Sequence, residues 1–384
     1  MEPITHFLTG ACIGRAGFNR KTAYATVTAV LAAEAADLDV LWGIAGPVEE
    51  LKHHRGITHT LIGAPVVAGV VVAAVWGFHR WRQARRQRRL SASSPTDVLL
   101  QKVKAPPVHW GWLYVTALAA ALSHLVLDWT NNYGLRPFYP FNPRWYAANL
   151  AFIAEPVLWA LLGVALFMPW VLGLADREIG ARRKPFRGRG WAIFALAGTV
   201  ALWGWRWIEQ TEARTLLQNL PVTSEPVTRM ALEPYPVNPY RWHAIVETRD
   251  SYQTAEVNTW NPDSPAAIQS DPLEDVIYKP ADTPAVEAAK RTFLGRVYLD
   301  WGSWAVVRDL GPVPIPGPTP GLAPPRLPPS QHWTTVEFTD LRFDYPFLGT
   351  RGTGGRAPLS GWVYIVDGRD AAGEAMDGRE QTPP

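Results

Sequence analysis

The sequence contains very little cysteine. Cys12 is the only cysteine among 384 residues, so the chain can form no internal disulfide. The first ten residues, MEPITHFLTG, also lack the basic start and the unbroken apolar core of a cleavable signal peptide. We therefore expect the first helix to remain in the mature protein.

Charged residues are scarce in four long segments, which are residues 57–78, 111–127, 150–175 and 191–208. Each approaches the roughly 20 residues that cross a bilayer core of about 30 Å. Many of the 19 tryptophans lie at the ends of these segments, where the membrane interface favours them. The sequence predicts an α-helical polytopic membrane domain over 1–208, with residues 4–16 and 22–36 as two shorter helices. Buried helices of a soluble protein are the alternative.

Basic residues are concentrated in two clusters that set the predicted topology. Residues 79–90 contain six arginines, and residues 177–189 contain five arginines and a lysine. Short loops this basic stay on the cytoplasmic side. Their position beside membrane segments already explains them, so no direct nucleic-acid binding is expected. This predicted topology places the chain after about residue 209 outside the cytoplasm.

Ionisable side chains gather at the predicted outer ends of the segments: His6, Asp37, Asp39, His53, His54, His59, His124, Asp128 and Glu155. His124 and Asp128 are four residues apart and share one helical face. We expect His59 in the first turn of a membrane helix, and Asp37 and Asp39 as an extended i, i+2 pair. Taken alone, each of His6, His53 and Glu155 is equally well explained as an interfacial polar residue.

Histidine and carboxylate together are the donors that zinc, manganese and iron prefer, with zinc favoured here. A set of more than four such donors has room for one or two ions. Charged groups within a membrane are costly and usually pair or serve a function. The sequence therefore predicts a divalent metal site near the outer membrane face.

Five motifs carry a family resemblance: THFLTG at 5–10, ADLD at 36–39, HRGITHT at 54–60, LSHLVLDWTNNYGLRPFYPF at 122–141 and FIAEP at 152–156. Together they resemble the YdjM-like family of membrane-bound proteins, described as LexA-binding, inner-membrane-associated, metal-dependent hydrolases. The resemblance covers about the first 175 residues. Ala36 stands where the family usually has proline, and Glu155 where aspartate is common.

The resemblance implies a multi-pass inner (plasma) membrane hydrolase with six candidate metal ligands: His6, Asp37, His54, His59, His124 and Asp128. It implies one of three roles for Asp39 and Glu155: a metal ligand, a carboxylate that orients a ligand, or the general base. Arg55 would stabilise an anionic group or lie as a snorkelling interfacial arginine. LexA binding follows from the family name only.

The family is similar to zinc-dependent phospholipase C and the P1-type nucleases, which are helical enzymes. By this analogy the reaction is phosphoester hydrolysis, acting on a lipid-linked or other envelope molecule at the outer face. A metal or proton transporter is an alternative, although transport sites tend to lie near the bilayer midplane. A non-catalytic membrane scaffold is a second alternative.

The sequence after about residue 209 is polar and proline-rich. Its alternating stretches are RWHAIVETRD, YQTAEVNTW, GRVYLDWGSWAVV, TTVEFTDLRFDYP and SGWVYIVDG. Such alternation predicts a mainly β extracytoplasmic domain over 209–368 that serves as an accessory module. We also expect a proline-rich loop at 311–330 and a disordered tail at 369–384.

Overall fold

The chain divides into two units. A computed structural model describes residues 1–90, 107–178, 188–271, 275–315, 322–348 and 357–381. The first unit comprises Met1–Leu38 and Arg55–Arg206, and the second comprises Asp39–His54 and Trp207–Pro384. Residues 39–54, which the sequence analysis assigned to the first domain, therefore group with the second unit.

Helices build the first unit, and the second has only a few. The α-helices of the described residues are α1 (Pro3–Ala16), α2 (Ala25–Glu34), α3 (Pro47–His53), α4 (Gly63–Leu90), α5 (Trp110–Thr130), α6 (Pro156–Glu178), α7 (Arg189–Asn219), α8 (Pro284–Lys290) and α9 (Phe293–Trp301). The helical character predicted for the N-terminal half is confirmed.

Three of the described helices are long and apolar enough to cross a membrane, at Gly63–Arg88, Trp110–Thr130 and Pro156–Leu174. Within the apolar 18-residue stretch of each helix, only 22% of the residues are buried in the first and third helices, and 44% in the second. Outward-facing apolar surface of this kind suits contact with lipid. The predicted segment 191–208 lies within α7, which is not among the three.

Three local predictions in this half are wrong. Residues 79–90 are not a loop but the end of α4, because arginine and glutamine favour helix and no glycine or proline interrupts them. His59 lies in a 3-10 helix, Ile57–His59, because the Thr60 hydroxyl accepts from the Gly63 N–H at 2.8 Å and starts α4 afterwards. Asp37 and Asp39 lie in the 3-10 helix Ala35–Ala45 rather than in an extended segment.

Close packing of α1 against α2 shapes the first unit. A Cβ at Gly14 would lie 2.5 Å from Thr26 Cα, and one at Gly10 would lie 2.8 Å from the Ala29 carbonyl oxygen. Only glycine allows the two backbones to approach this closely. The pairing of Gly10 with Ala29 and of Gly14 with Thr26 makes the helices antiparallel, so the start of α1 lies beside the end of α2.

The second unit contains two antiparallel sheets. The first sheet has the order β1-β2-β3-β4, with β5 also paired to β3, and the second has the order β10-β9-β8-β7-β6. Their strands are β1 (Arg229–Pro234), β2 (Arg241–Glu247), β3 (Ser251–Asn258), β4 (Ile268–Gln269), β5 (Val276–Tyr278), β6 (Ala305–Asp309), β7 (Trp333–Asp340), β8 (Gly361–Val366), β9 (Asp370–Met376) and β10 (Arg379–Gln381). The sheet-rich character predicted for this region is confirmed.

Part of one predicted strand is a helix. Residues 295–301 of the stretch GRVYLDWGSWAVV belong to α9, and β6 begins only at Ala305. Leu294, Tyr298 and Trp301 are buried at i, i+4 and i+7, which is helical rather than strand spacing. The Thr292 side chain caps this helix by accepting from the Gly295 N–H at 3.1 Å.

The predicted disordered tail is wrong as far as residue 381. Asp377 and Gly378 have φ of 49° and 75°, the conformation of a tight hairpin turn, and they join β9 to β10. Gln381 is buried, accepts from the Val48 N–H at 2.9 Å and donates to the Ala45 carbonyl at 3.3 Å. Residues 382–384 lie outside the described residues.

The proline-rich segment has neither helix nor strand where it is described, at 311–315 and 322–330. Its middle, 316–321, lies outside the described residues.

Candidate metal centre

Four side chains of the first unit converge although they are far apart in the sequence. Donor atoms of Asp37, His59, His124 and Asp128 all lie within 4.8 Å of one another. Asp37 follows α2, His59 precedes α4, and the last two lie one turn apart near the end of α5. These four residues are among the six predicted ligands.

The distances between these donors suit one small cation. The Nε2 atoms of His59 and His124 are 2.9 Å apart, and Asp37 Oδ1 lies 3.1 and 3.5 Å from them. Asp128 Oδ2 lies 3.5 and 3.3 Å from the same two nitrogens. Tetrahedral bonds of roughly 2.0–2.2 Å separate donor atoms by about 3.3–3.6 Å. The cluster is therefore close to the size that zinc coordination needs.

Hydrogen bonds outside the cluster orient the imidazoles. His124 Nδ1 lies 2.6 Å from the Ala33 carbonyl oxygen, to which it must donate, so Nε2 is the nitrogen that faces the other donors. His59 Nδ1 lies 3.1 Å from the Thr58 hydroxyl. Metal-binding histidines are held in the same way by their second nitrogen.

His6 lies directly beside the four donors. Its ring stacks on His124 with 3.8 Å between centroids, and its Nε2 is 3.5 Å from Asp128 Oδ1. Within the described part of the chain, neither ring nitrogen makes a hydrogen bond. Burial, followed by the neighbouring His124, lowers the pKa of His6 to about 3. The ring is therefore neutral near pH 7, which is the form that binds metal.

Asp37 is the one donor of the four that solvent reaches. Its side chain is 17% exposed, whereas those of His59, His124 and Asp128 are 0% exposed. Burial by itself would raise the pKa of Asp37, but the hydrogen bond from His59 and the nearby His124 outweigh it. The pKa lies below its usual range, so Asp37 is a carboxylate at neutral pH.

Arg55 holds the other carboxylate in place. Its Nη2 is 2.9 Å from Asp128 Oδ1, and its Nη1 donates to Asn131 Oδ1 at 3.2 Å and to the Gly134 carbonyl at 2.5 Å. The Met1 α-amino group also contacts Asp128 Oδ1. Arg55 occupies Oδ1 and leaves Oδ2 facing the histidines. Arg55 is 2% exposed, so the snorkelling interpretation is wrong, whereas a role in binding anions stays a prediction.

The remaining predicted site residues are Asp39, His54 and Glu155. Asp39 and His54 belong to the second unit and pair with each other, with 2.9 Å between Oδ1 and Nδ1. Glu155 is buried just before α6 and forms an ion pair of 2.9 Å with Arg206 of α7. Ligand or general-base roles for these three predicted residues stay predictions.

Sequence reasoning missed Arg206 and Asn131. Arg206 is the only charged residue in the apolar run 191–208, and an ionisable group in such a run usually has a partner. That signal was available. Asn131 Oδ1 also accepts from the Tyr133 N–H at 2.8 Å, and its position in TNNYG is typical of a side chain that closes a turn.

A comparison with protein families places the whole cluster inside one match. A family model described as YdjM inner membrane protein matches residues 1–213. No curated protein and no solved structure matches the chain.

Proposed function

Because the chain belongs to the YdjM inner membrane protein family, as its motifs predict, we propose that it binds a divalent cation through Asp37, His59, His124 and Asp128. The convergence of these four donors carries the proposal. Two imidazoles and two carboxylates suit zinc first, and manganese or iron next. His6, whose Nε2 lies 3.5 Å from Asp128 Oδ1, would contribute a further donor to one or two ions.

We propose that this centre hydrolyses a phosphoester in a lipid or another envelope molecule. A cation bound there supplies Lewis acidity and lowers the pKa of a coordinated water. Asp37, as the exposed donor, marks the side from which water and substrate enter. Arg55 orients Asp128, and Ala33 fixes His124, so the donors keep their geometry through turnover. The similarity to zinc-dependent phospholipase C supports the reaction class by analogy only.

A structural metal site is a second candidate function. Four protein donors would fill the shell of a zinc ion, and three of them are fully buried, as in closed structural sites. A cation there would tie the end of α2 to the start of α4 and the end of α5. No comparable observation favours transport, because His124 and Asp128 lie in the last turns of α5 rather than near its middle.

We also propose a multi-pass topology with the cluster at the outer membrane face and the chain after about residue 209 outside the cytoplasm. The positions of basic residues support it. Arg20, Lys21 and Arg189 lie at the end of α1 and the start of α7, at the opposite end of the helical unit from His6. Basic residues at the end of membrane helices favour the cytoplasmic side.

The first test measures metal and turnover on the purified full-length protein in detergent. We expect His59→Ala and Asp128→Asn to lower metal affinity by more than the roughly 10–100-fold that loss of a supporting residue costs. His109→Ala is the matched control, because His109 is an exposed histidine at the start of α5. Elemental analysis after dialysis gives the metal content of each protein.

Hydrolysis of a generic phosphodiester separates the two candidate functions. A hydrolase loses turnover on chelation and regains it when zinc is returned, and both ligand variants remain inactive. A structural site gives no metal-dependent turnover, but its melting temperature falls on chelation. Unchanged metal content in both ligand variants would show that the cluster is not a metal site.

A further inference from the structure

An open basic pocket lies in the same helical unit as the metal cluster. It has a volume of about 470 Å³, and its lining includes Gly17, Phe18, Arg20, Lys21, Trp112 and Arg189. We call these six residues the basic pocket. None of the described residues that line it is acidic, so its electrostatic potential favours an anion.

The basic pocket is separate from the metal cluster. It is formed where α1 ends and where α5 and α7 begin, whereas His6 lies at the start of α1 and His124 near the end of α5. Trp112 and His124 are twelve residues apart along α5, which is roughly 18 Å. A ligand in the basic pocket therefore does not touch the proposed metal ligands.

Packing contacts position the cations of the pocket. The Lys21 ammonium lies 5.4 Å from the centre of the Trp112 ring, a cation–π contact that steers the side chain. Arg189 Nε donates to the Ala16 carbonyl at 2.9 Å, which anchors the guanidinium at the pocket wall. Arginine and lysine together are the usual side chains that bind phosphate.

An apolar recess adjoins the basic pocket. It also has a volume of about 470 Å³, shares Arg20 and Lys21 with the pocket, and continues past Ala23, Tyr24 and Val27 of the α2 region. A cationic site that opens onto an apolar recess matches a molecule with an anionic head and a hydrocarbon tail. Basic pockets between membrane helices on the cytoplasmic side bind anionic lipid head groups.

We propose that the basic pocket binds the phosphate head group of an anionic phospholipid, with an acyl chain along the adjoining recess. The predicted topology puts Arg20, Lys21 and Arg189 at the cytoplasmic leaflet. The proposal does not depend on what the metal cluster does, because the two sites share no residue.

The test is native mass spectrometry of the full-length protein in detergent, titrated with phosphatidylglycerol or phosphatidylcholine of equal chain length. We expect tighter binding of phosphatidylglycerol by the wild type. Each lost charge should weaken it about fivefold, so Arg20→Gln with Lys21→Gln should weaken it about 25-fold. Arg85→Gln is the matched control, because Arg85 also lies over a tryptophan, Trp81 at 4.2 Å, but outside the pocket. Its affinity should stay within about twofold.

Three results would overturn the proposal. They are equal binding of the two lipids by the wild type, equal loss in the control and the double variant, and displacement of the lipid by millimolar inorganic phosphate. If the double variant fails to fold, as judged by its melting temperature, Lys21→Gln alone decides. It should then show a loss of about fivefold, and no loss would count against the pocket.

Discussion

Buried charges in the helical unit are held by opposite charges from distant parts of the chain. Arg55 binds Asp128, and Arg206 of α7 binds Glu155 beside α6. Removal of a charge from water costs several kcal/mol, which a well-placed partner offsets. Each of these residues therefore depends on its partner, and loss of one partner harms the fold more than loss of both.

The Glu155–Arg206 ion pair can be tested by substitution of one or both partners. Both side chains are fully buried, so Arg206→Leu removes the positive charge that is paired with a buried carboxylate. We expect a loss of about 3–5 kcal/mol in the free energy of unfolding. Glu155→Leu together with Arg206→Leu should recover most of it. Unfolding of the proteins in one detergent, followed by tryptophan fluorescence, measures both changes.

A solvent-exposed ion pair provides the control for these substitutions. Arg249 and Asp250 are 3.9 Å apart and 92% and 75% exposed. Arg249→Leu should change stability by less than about 1 kcal/mol. If Arg206→Leu is no more damaging than Arg249→Leu, the buried ion pair does not exist.

The antiparallel packing of α1 and α2 positions the metal cluster at the scale of helices. Glycines at the contact bring the start of α1, with His6, beside the end of α2, which Asp37 follows. A larger side chain at this contact must push the helices apart. The shift would move His6 away from Asp37, and their present separation of 3.9 Å between Nε2 and Oδ2 would grow.

Gly14→Leu tests this relation. The new side chain would meet Thr26, whose Cα is 2.5 Å from the position of the added Cβ. We expect a loss of about 1–3 kcal/mol in stability and a lower metal content. Gly69→Leu in α4 is the matched control, because an added Cβ there has nothing within 4 Å. Equal metal content in the two variants would contradict a role of helix packing in the site.

At the scale of the whole molecule, the proposed topology places the two halves of the chain differently with respect to the membrane. Cys12 is buried, so the native chain offers little background to a maleimide that cannot cross membranes. Gln87 at the basic end of α4 and Asn261 after β3 are both exposed. They are therefore suitable positions for single engineered cysteines.

We expect Asn261→Cys to be labelled in intact spheroplasts and Gln87→Cys only after the membrane is permeabilised. The physical reason is that arginine-rich ends of membrane helices stay in the cytoplasm. Labelling by gel shift, with the unaltered protein as blank, measures the difference. Labelling of Gln87→Cys in intact spheroplasts would reverse the topology and place the basic pocket at the outer leaflet.

The sequence by itself determined the features that depend on neighbouring residues. Hydropathy predicted the helical first half, and period-two alternation predicted the sheet-rich second half. The motifs predicted the family. The i, i+4 spacing put His124 and Asp128 on one face of a helix, because that relation is local. The hairpin signal at Asp377 and Gly378 was also local, and it was overlooked.

Only the tertiary structure decided which polar residues meet. Asp37 and His59 join His124 and Asp128 because α2, α4 and α5 pack together, and no local pattern encodes that contact. The same packing selects Arg206 as the partner of Glu155. Burial and long-range packing, rather than distance along the chain, set the membership of the centre.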